Sequence, residues 1–186
     1  SRSMSPGVAI IIVSVFTFLG PLLGGLAVAN TIGEFVSLEG LETSIAQSVV
    51  MAGIMAAIIY NLITWKLGLP TSSSNSLTSG LVGAAIFTIG SNHVNWGITA
   101  LIHGEVVGFM KVVIGIIFSP LAGFLVGFLV MKLSLRVLRR LTIKSRVVVR
   151  GTQYLTVSWL AFSHGTNDSQ KGMGVIGMLL LANNVY

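Results

Sequence analysis

Long stretches without a charged residue divide this chain. No charged side chain lies between Arg2 and Glu34, between Glu42 and Lys66, between Lys66 and Glu105, or between Lys111 and Lys132. A helix that crosses a bilayer needs about 20 mostly apolar residues, and each of these stretches is long enough. Four of them in succession predict an all-α, polytopic integral membrane protein rather than a soluble domain with one buried helix.

Two apolar segments are interrupted by polar residues. Apolar runs cover residues 7–29, 44–65, 112–131 and 152 onward. The hydroxyl-rich stretch 68–80 predicts a re-entrant hairpin over about residues 67–90 or else a broken helix, and the polar stretch 163–172 predicts a broken helix. Interrupted helices are typical of the substrate site of secondary transporters, because their ends expose backbone groups to cations and anions.

Composition and charge support the membrane class. The 186 residues are 53% hydrophobic and 9% charged, whereas a soluble domain has roughly 25% charged residues. The net charge of +6 comes mostly from basic residues within 132–150, which predicts a cytoplasmic loop by the positive-inside rule. This loop contains no aromatic residue that could stack on bases, so no nucleic-acid partner is expected.

Asp168, the one aspartate, lies inside an apolar segment. Carboxylates at membrane depth are costly, so Asp168 is a functional candidate, and the alternative is an ion pair with Lys171 three residues later. Further side-chain oxygens lie beside it, on Thr166, Asn167, Ser169 and Gln170. Such oxygens suit a hard cation, so Asn167 and Asp168 are candidate ligands of a sodium ion. His164 is either a proton carrier or a packing residue.

The hydroxyl-rich stretch is the candidate anion site. Its hydroxyl donors include Thr71, Ser72, Ser73, Ser74 and Ser76, and Asn75 lies among them. If a helix begins here, hydroxyl groups and backbone amides would together form an oxyanion site. The alternative is that these residues cap a helix and help helices to pack.

Three stretches resemble the PiT family of inorganic phosphate transporters. Residues 162–176, FSHGTNDSQKGMGVI, closely resemble the second signature of the bacterial members, with the Gly-x-Asn-Asp core at 165–168. Residues 65–84, WKLGLPTSSSNSLTSGLVGA, resemble the family's re-entrant hairpin. Residues 24–33, GGLAVANTIG, resemble the segment that follows the opening helix of the first repeat.

The resemblance implies a phosphate symporter of a bacterial inner membrane, driven by sodium ions or protons and without another cofactor. Thr71, Ser72, Ser73, Ser74 and Asn75 would bind phosphate, although the family often has His where this chain has Asn75. The coupling ion or substrate would be bound by Thr166, Asn167, Asp168 and Gln170. Phosphate and the lipid bilayer are the expected partners, and a homo-oligomer is left open.

The resemblance also implies two inverted repeats. Residues 1–131 would be the rest of the first repeat, 132–150 the cytoplasmic loop and 151–186 the start of the second. Half of the site is then expected outside the chain, so the isolated chain is not expected to transport.

No enzyme is expected. The alternatives are a transporter or channel for another oxyanion such as sulfate, and an intramembrane hydrolase that uses a serine with His164 and Asp168.

Overall fold

The structure, a computed structural model, describes residues 4–139 and 146–183, and within them it is helical. The helices are α1 (Pro6–Leu23), α2 (Ala27–Gly33), α3 (Thr43–Leu67), α4 (Ser73–Thr88), α5 (Ile98–Ile102), α6 (Gly108–Leu138) and α7 (Arg146–Ala182). A 3₁₀ turn, Ser91–His93, follows α4, and Val36 and Val94 form an isolated antiparallel bridge. The predicted all-α class is confirmed.

Three helices in the described part of the chain are long and apolar enough to cross a membrane: α1, α3 and α6, with 18, 25 and 31 residues. The predicted segments 44–65 and 112–131 lie within α3 and α6. The segment 7–29 is not one helix, because α1 ends at Leu23 and α2 begins at Ala27. Gly25 turns the chain there with a φ of +75°, a conformation that glycine adopts without steric cost.

The chain forms two compact units, each described here by itself. The first consists of Ser1–Gly25 and Gly115–Ser169, and the second of Leu26–Ile114 and Gln170–Tyr186. In the first unit, α1 packs against α7 through glycines. A Cβ at Gly165 would collide with the Thr17 carbonyl, and a Cβ at Gly20 would lie 2.5 Å from the Phe162 carbonyl oxygen. Small residues permit such close approach between helices in membranes.

The predicted break in the signature helix is wrong, because α7 runs without interruption through residues 163–172. Its polar side chains are satisfied in ways that keep the helix intact. Thr166 Oγ1 donates to the Phe162 carbonyl at 3.0 Å, and His164 and Asp168 pair one turn apart. Glycine costs a helix about 1 kcal/mol relative to alanine, and at Gly165 it is required by the contact with Thr17.

In the second unit, α3 and α4 form an antiparallel pair joined at residues 68–72. The backbones meet where Gly53 faces Gly80 and Leu81, and a Cβ at Gly53 would lie 2.8 Å from Leu81 Cα. The core beside this pair includes Phe35, Val49, Val50, Leu81, Ala85 and Met178. With 16 residues, α4 is about 24 Å long, shorter than the roughly 30 Å hydrocarbon core. The re-entrant placement of residues 67–90 and the inverted repeat stay predictions.

The basic segment 132–150 is partly helical. The helix α6 continues to Leu138 and α7 begins at Arg146, while residues 140–145 lie outside the described part of the chain. The side of the membrane on which this segment lies stays a prediction.

A single cysteine at position 145 tests that orientation. In a cysteine-free version of the full-length protein, Ser145→Cys should resist an impermeant thiol reagent in intact cells and react after permeabilisation, because basic loops are retained in the cytoplasm. Glu39→Cys is the matched control, since the exposed Glu39 precedes α3 and Lys66 lies near its other end. We expect Glu39→Cys to be labelled in intact cells, and ready labelling at position 145 would reverse the orientation.

Candidate functional site

The hydroxyl-rich stretch is the amino-terminal end of α4. Ser72 caps the helix, and its Oγ accepts a hydrogen bond from the Asn75 amide at 3.3 Å. Ser73 is the first helical residue. The amides of the first turn of a helix have no acceptor within the helix, and the helix dipole places partial positive charge there. The helix start on which an anion site depends is therefore present, and capping and anion binding are compatible at this position.

Asn61, on α3, organises this end of α4. Its Oδ1 accepts a hydrogen bond from Thr71 Oγ1 at 3.0 Å, and its Nδ2 donates to the buried Ser76 Oγ at 3.0 Å. The sequence analysis missed Asn61, although a lone asparagine late in an apolar run was a usable signal. Polar side chains that bond across helices are typical of membrane proteins.

Two serine hydroxyls in this stretch, those of Ser72 and Ser73, act only as acceptors. Ser72 Oγ accepts from the Asn75 amide, and Ser73 Oγ accepts from Lys171 Nζ at 2.8 Å. A hydroxyl has one hydrogen to donate and two lone pairs, so neither bond uses the serine hydrogen. Ser72 and Ser73 can therefore donate to an anion while they keep these contacts.

An open cleft of about 750 Å³ lies beside the amino-terminal end of α4. Its polar lining combines hydroxyl groups with one amide side chain, and it consists of Tyr60, Thr71, Ser72, Asn75, Ser76 and Ser79. Three of the five predicted phosphate ligands thus line one cleft. Ser73 instead faces α7 through its contact with Lys171, and the Ser74 carbonyl accepts a hydrogen bond from Thr78 Oγ1 at 3.0 Å.

The second half of α7 is attached to α2 in this unit. The Gln170 side chain is 1% exposed, and its Oε1 accepts from the Val28 amide at 2.7 Å. Leu26, the residue before α2, provides no side-chain cap, so Gln170 satisfies an amide of the first turn. Gln170 was predicted to bind an ion or the substrate. In the structure, its side chain makes a hydrogen bond that joins α7 to α2.

Asp168 lies on α7 within the first unit. Its Oδ2 is 3.0 Å from His164 Nε2, and the two side chains are 49% and 73% exposed respectively. Asn167 is also exposed, whereas Thr166 Oγ1 is bonded to the Phe162 carbonyl. Within the described ranges, no group of three or more His, Cys, Asp or Glu side chains could hold a metal ion. Residues 71–74 and 167–168 belong to different units, and their meeting stays a prediction.

Comparison with known proteins identifies relatives along the whole chain. The sequence pattern described as the phosphate transporter family matches residues 1–147. A probable low-affinity inorganic phosphate transporter of Bacillus subtilis is 32% identical over 188 aligned residues, covering 100% of this chain and 53% of the relative. The corresponding protein of Mycobacterium tuberculosis is 35% identical, covering 98% of this chain and 41% of the relative.

The low-affinity inorganic phosphate transporter of Escherichia coli is 30% identical, covering 97% of this chain and 40% of the relative. The chain therefore spans about half the length, or less, of the curated relatives it matches. No solved structure matches it.

Proposed function

This chain belongs to the phosphate transporter family, and we propose that the whole protein moves inorganic phosphate across a membrane together with a sodium ion or a proton. The family and the named relatives are transporters and not enzymes, so we set the hydrolase alternative aside. Three long apolar helices in the described residues agree with an integral membrane protein.

The observation that carries the proposal is the hydroxyl-rich start of α4. Phosphate is charged and cannot enter a low-dielectric interior without replacement of its water shell. Ser72 and Ser73 have hydroxyl hydrogens that their present hydrogen bonds do not use, and the first turn of α4 adds backbone amides. Hydroxyl groups and helix amides of this kind can replace water around an oxyanion.

The coupling ion is proposed from the chemistry of the signature. Asp168 alone would repel an anion, so a carboxylate in a phosphate transporter is useful only with a cation or proton beside it. Asn167 and Asp168 offer oxygen ligands that suit sodium, and His164 at 3.0 Å from Asp168 offers a proton carrier. The charges of the bound cation and phosphate would then stabilise one another, which couples the two transport events.

Uptake by the full-length protein in liposomes tests the proposal. We expect labelled phosphate to accumulate only when a sodium or proton gradient is imposed, and unlabelled arsenate to compete because it has the same shape and charge. Another tetrahedral oxyanion such as sulfate is the second candidate, since hydroxyl donors alone do not distinguish the two. Failure of phosphate to enter, or stronger competition by sulfate than by phosphate itself, would reject the phosphate assignment.

Replacement of one hydroxyl group tests the location of the site. Ser73→Ala in the full-length protein should weaken phosphate binding by roughly 1–3 kcal/mol, because a hydrogen bond to a charged ligand is lost. Ser48→Ala is the control, since Ser48 Oγ donates to the Ser44 carbonyl at 2.7 Å on α3, outside the hydroxyl-rich stretch. Equilibrium binding of labelled phosphate measures both variants. Equal binding by Ser73→Ala and the wild type would place phosphate elsewhere.

A further inference from the structure

We propose that Lys171 is the positively charged ligand of the phosphate site, an inference that rests on the proposed function. Lys171 follows the last residue of the family's Gly-x-Asn-Asp core by three positions. Its ammonium group donates a hydrogen bond of 2.8 Å to Ser73 Oγ, although 98 positions separate the two residues. The Lys171 ammonium group of α7 thus contacts the hydroxyl group of Ser73, the first residue of α4.

The hydrogen-bonding capacity of this pair favours anion binding. A lysine ammonium has three hydrogens, and the contact with Ser73 uses one of them. Ser73 accepts in that contact and keeps its own hydrogen. Ser73 can therefore donate to a phosphate oxygen without breaking its bond to Lys171, and the ammonium charge lies next to that hydroxyl group. Hydrogen bonds between an ammonium group and phosphate are charge-assisted and short.

The charge of Lys171 supplies what the hydroxyl groups lack. The hydroxyl groups of Ser72 and Ser73 are neutral, so they can solvate phosphate but cannot offset its charge. In a medium of low dielectric constant, a positive charge in contact with the anion is far more stabilising than in water. Lysine is a common phosphate ligand because it acts as a compact point charge.

The backbone on both sides of Lys171 is held in place, and this fixes the Cα position from which its flexible side chain extends. The preceding residue, Gln170, is buried and bonded to the Val28 amide at 2.7 Å. Three residues later, a Cβ at Gly174 would lie 2.7 Å from the Ala29 carbonyl oxygen, so α7 and α2 are in backbone contact. These contacts hold the backbone on both sides of Lys171, whose partly exposed side chain reaches Ser73 at the start of α4.

The competing interpretation is that Lys171 only links α7 to α4. Lys171→Gln distinguishes the two roles, because glutamine can still donate to Ser73 but has no charge. In the full-length protein, we expect Lys171→Gln to raise the Kd for labelled phosphate about tenfold or more, as expected for a charged hydrogen bond. Lys171→Arg, which keeps the charge, should restore most of the affinity. The apparent Tm of the purified protein should change little in either variant.

Lys111→Met is the matched control. Lys111 Nζ donates to Thr31 Oγ1 at 3.0 Å, which is the same kind of lysine–hydroxyl contact in the same compact unit. We expect this variant to bind phosphate like the wild type. If Lys171→Gln also keeps the wild-type Kd, or if it lowers Tm while the folded fraction binds normally, Lys171 is a structural link and the inference is wrong.

A double-mutant cycle with Ser73→Ala checks that the two residues share one ligand. If both contact the same phosphate, the combined loss of affinity should differ from the product of the separate losses, since neighbouring residues couple. Independent effects of the two changes would reject a shared ligand. Should Lys171→Gln not be recovered in folded form, Ser73→Ala alone completes the test, because wild-type affinity in that variant would place phosphate away from the Lys171–Ser73 pair and overturn the inference. Absence of phosphate binding by the wild type would instead reject the proposed function.

Discussion

Asp168→Asn in the full-length protein should abolish gradient-driven phosphate uptake while the protein stays folded. Asparagine has the shape of aspartate and can still bond to His164, which lies 3.0 Å from the carboxylate. What it removes is the negative charge that we propose to bind a sodium ion or exchange a proton. Because that charge is the proposed link between the two gradients, uptake in liposomes should fall to the level of empty vesicles under either gradient.

Two measurements make this result specific. Glu105→Gln removes an exposed carboxylate from the connection between α5 and α6 and should transport normally. Elution of Asp168→Asn as a single species on size-exclusion chromatography would show that the loss is not due to misfolding. Normal uptake by Asp168→Asn with unchanged ion dependence would mean that Asp168 has a structural role and does not couple the two ions.

Gly165→Ala should strongly destabilise the protein. The added Cβ would collide with the Thr17 carbonyl, and backbone atoms cannot move aside as a flexible side chain can. Overpacking of this kind typically costs about 1–3 kcal/mol and sometimes more. We expect a lower yield of folded protein and a lower apparent melting temperature in detergent.

Gly172→Ala is the control for Gly165→Ala on the same helix. A Cβ at Gly172 has no atom within 4 Å, and alanine favours a helix over glycine by up to about 1 kcal/mol. This variant should be as stable as the wild type or more so. If the two variants melt at the same temperature, α1 and α7 do not make the close contact described above.

The sequence predicted the parts of the fold that depend on hydrophobicity alone. Charge-free runs located α3 and α6 because a bilayer requires about 20 apolar residues for each crossing. The break predicted within α7 was wrong because glycine and polar residues were interpreted as helix breakers. In the structure, Gly165 permits close packing and Thr166 bonds to the preceding turn, so the same residues are compatible with a continuous helix.

The candidate site could be predicted only where its residues are neighbours in the sequence. The hydroxyl groups of residues 71–74 adjoin one another, so their concentration at the start of α4 could be anticipated. The contacts of Asn61 and Lys171 join residues of different elements, and spacing along the chain does not reveal such contacts. The same holds for the contact of Gln170 with Val28, which joins residues 142 positions apart.

The length of α6 also bears on how the protein responds to its lipid surroundings. Lys111 and Lys132 bound the apolar part of α6 and lie 21 positions apart, which corresponds to about 32 Å of helix. This length closely matches a hydrocarbon core of about 30 Å. With a lysine at each boundary, we expect α6 to tilt in a thinner bilayer and to extend its lysines toward the headgroups in a thicker one. We therefore expect membrane thickness to act on this protein through α6.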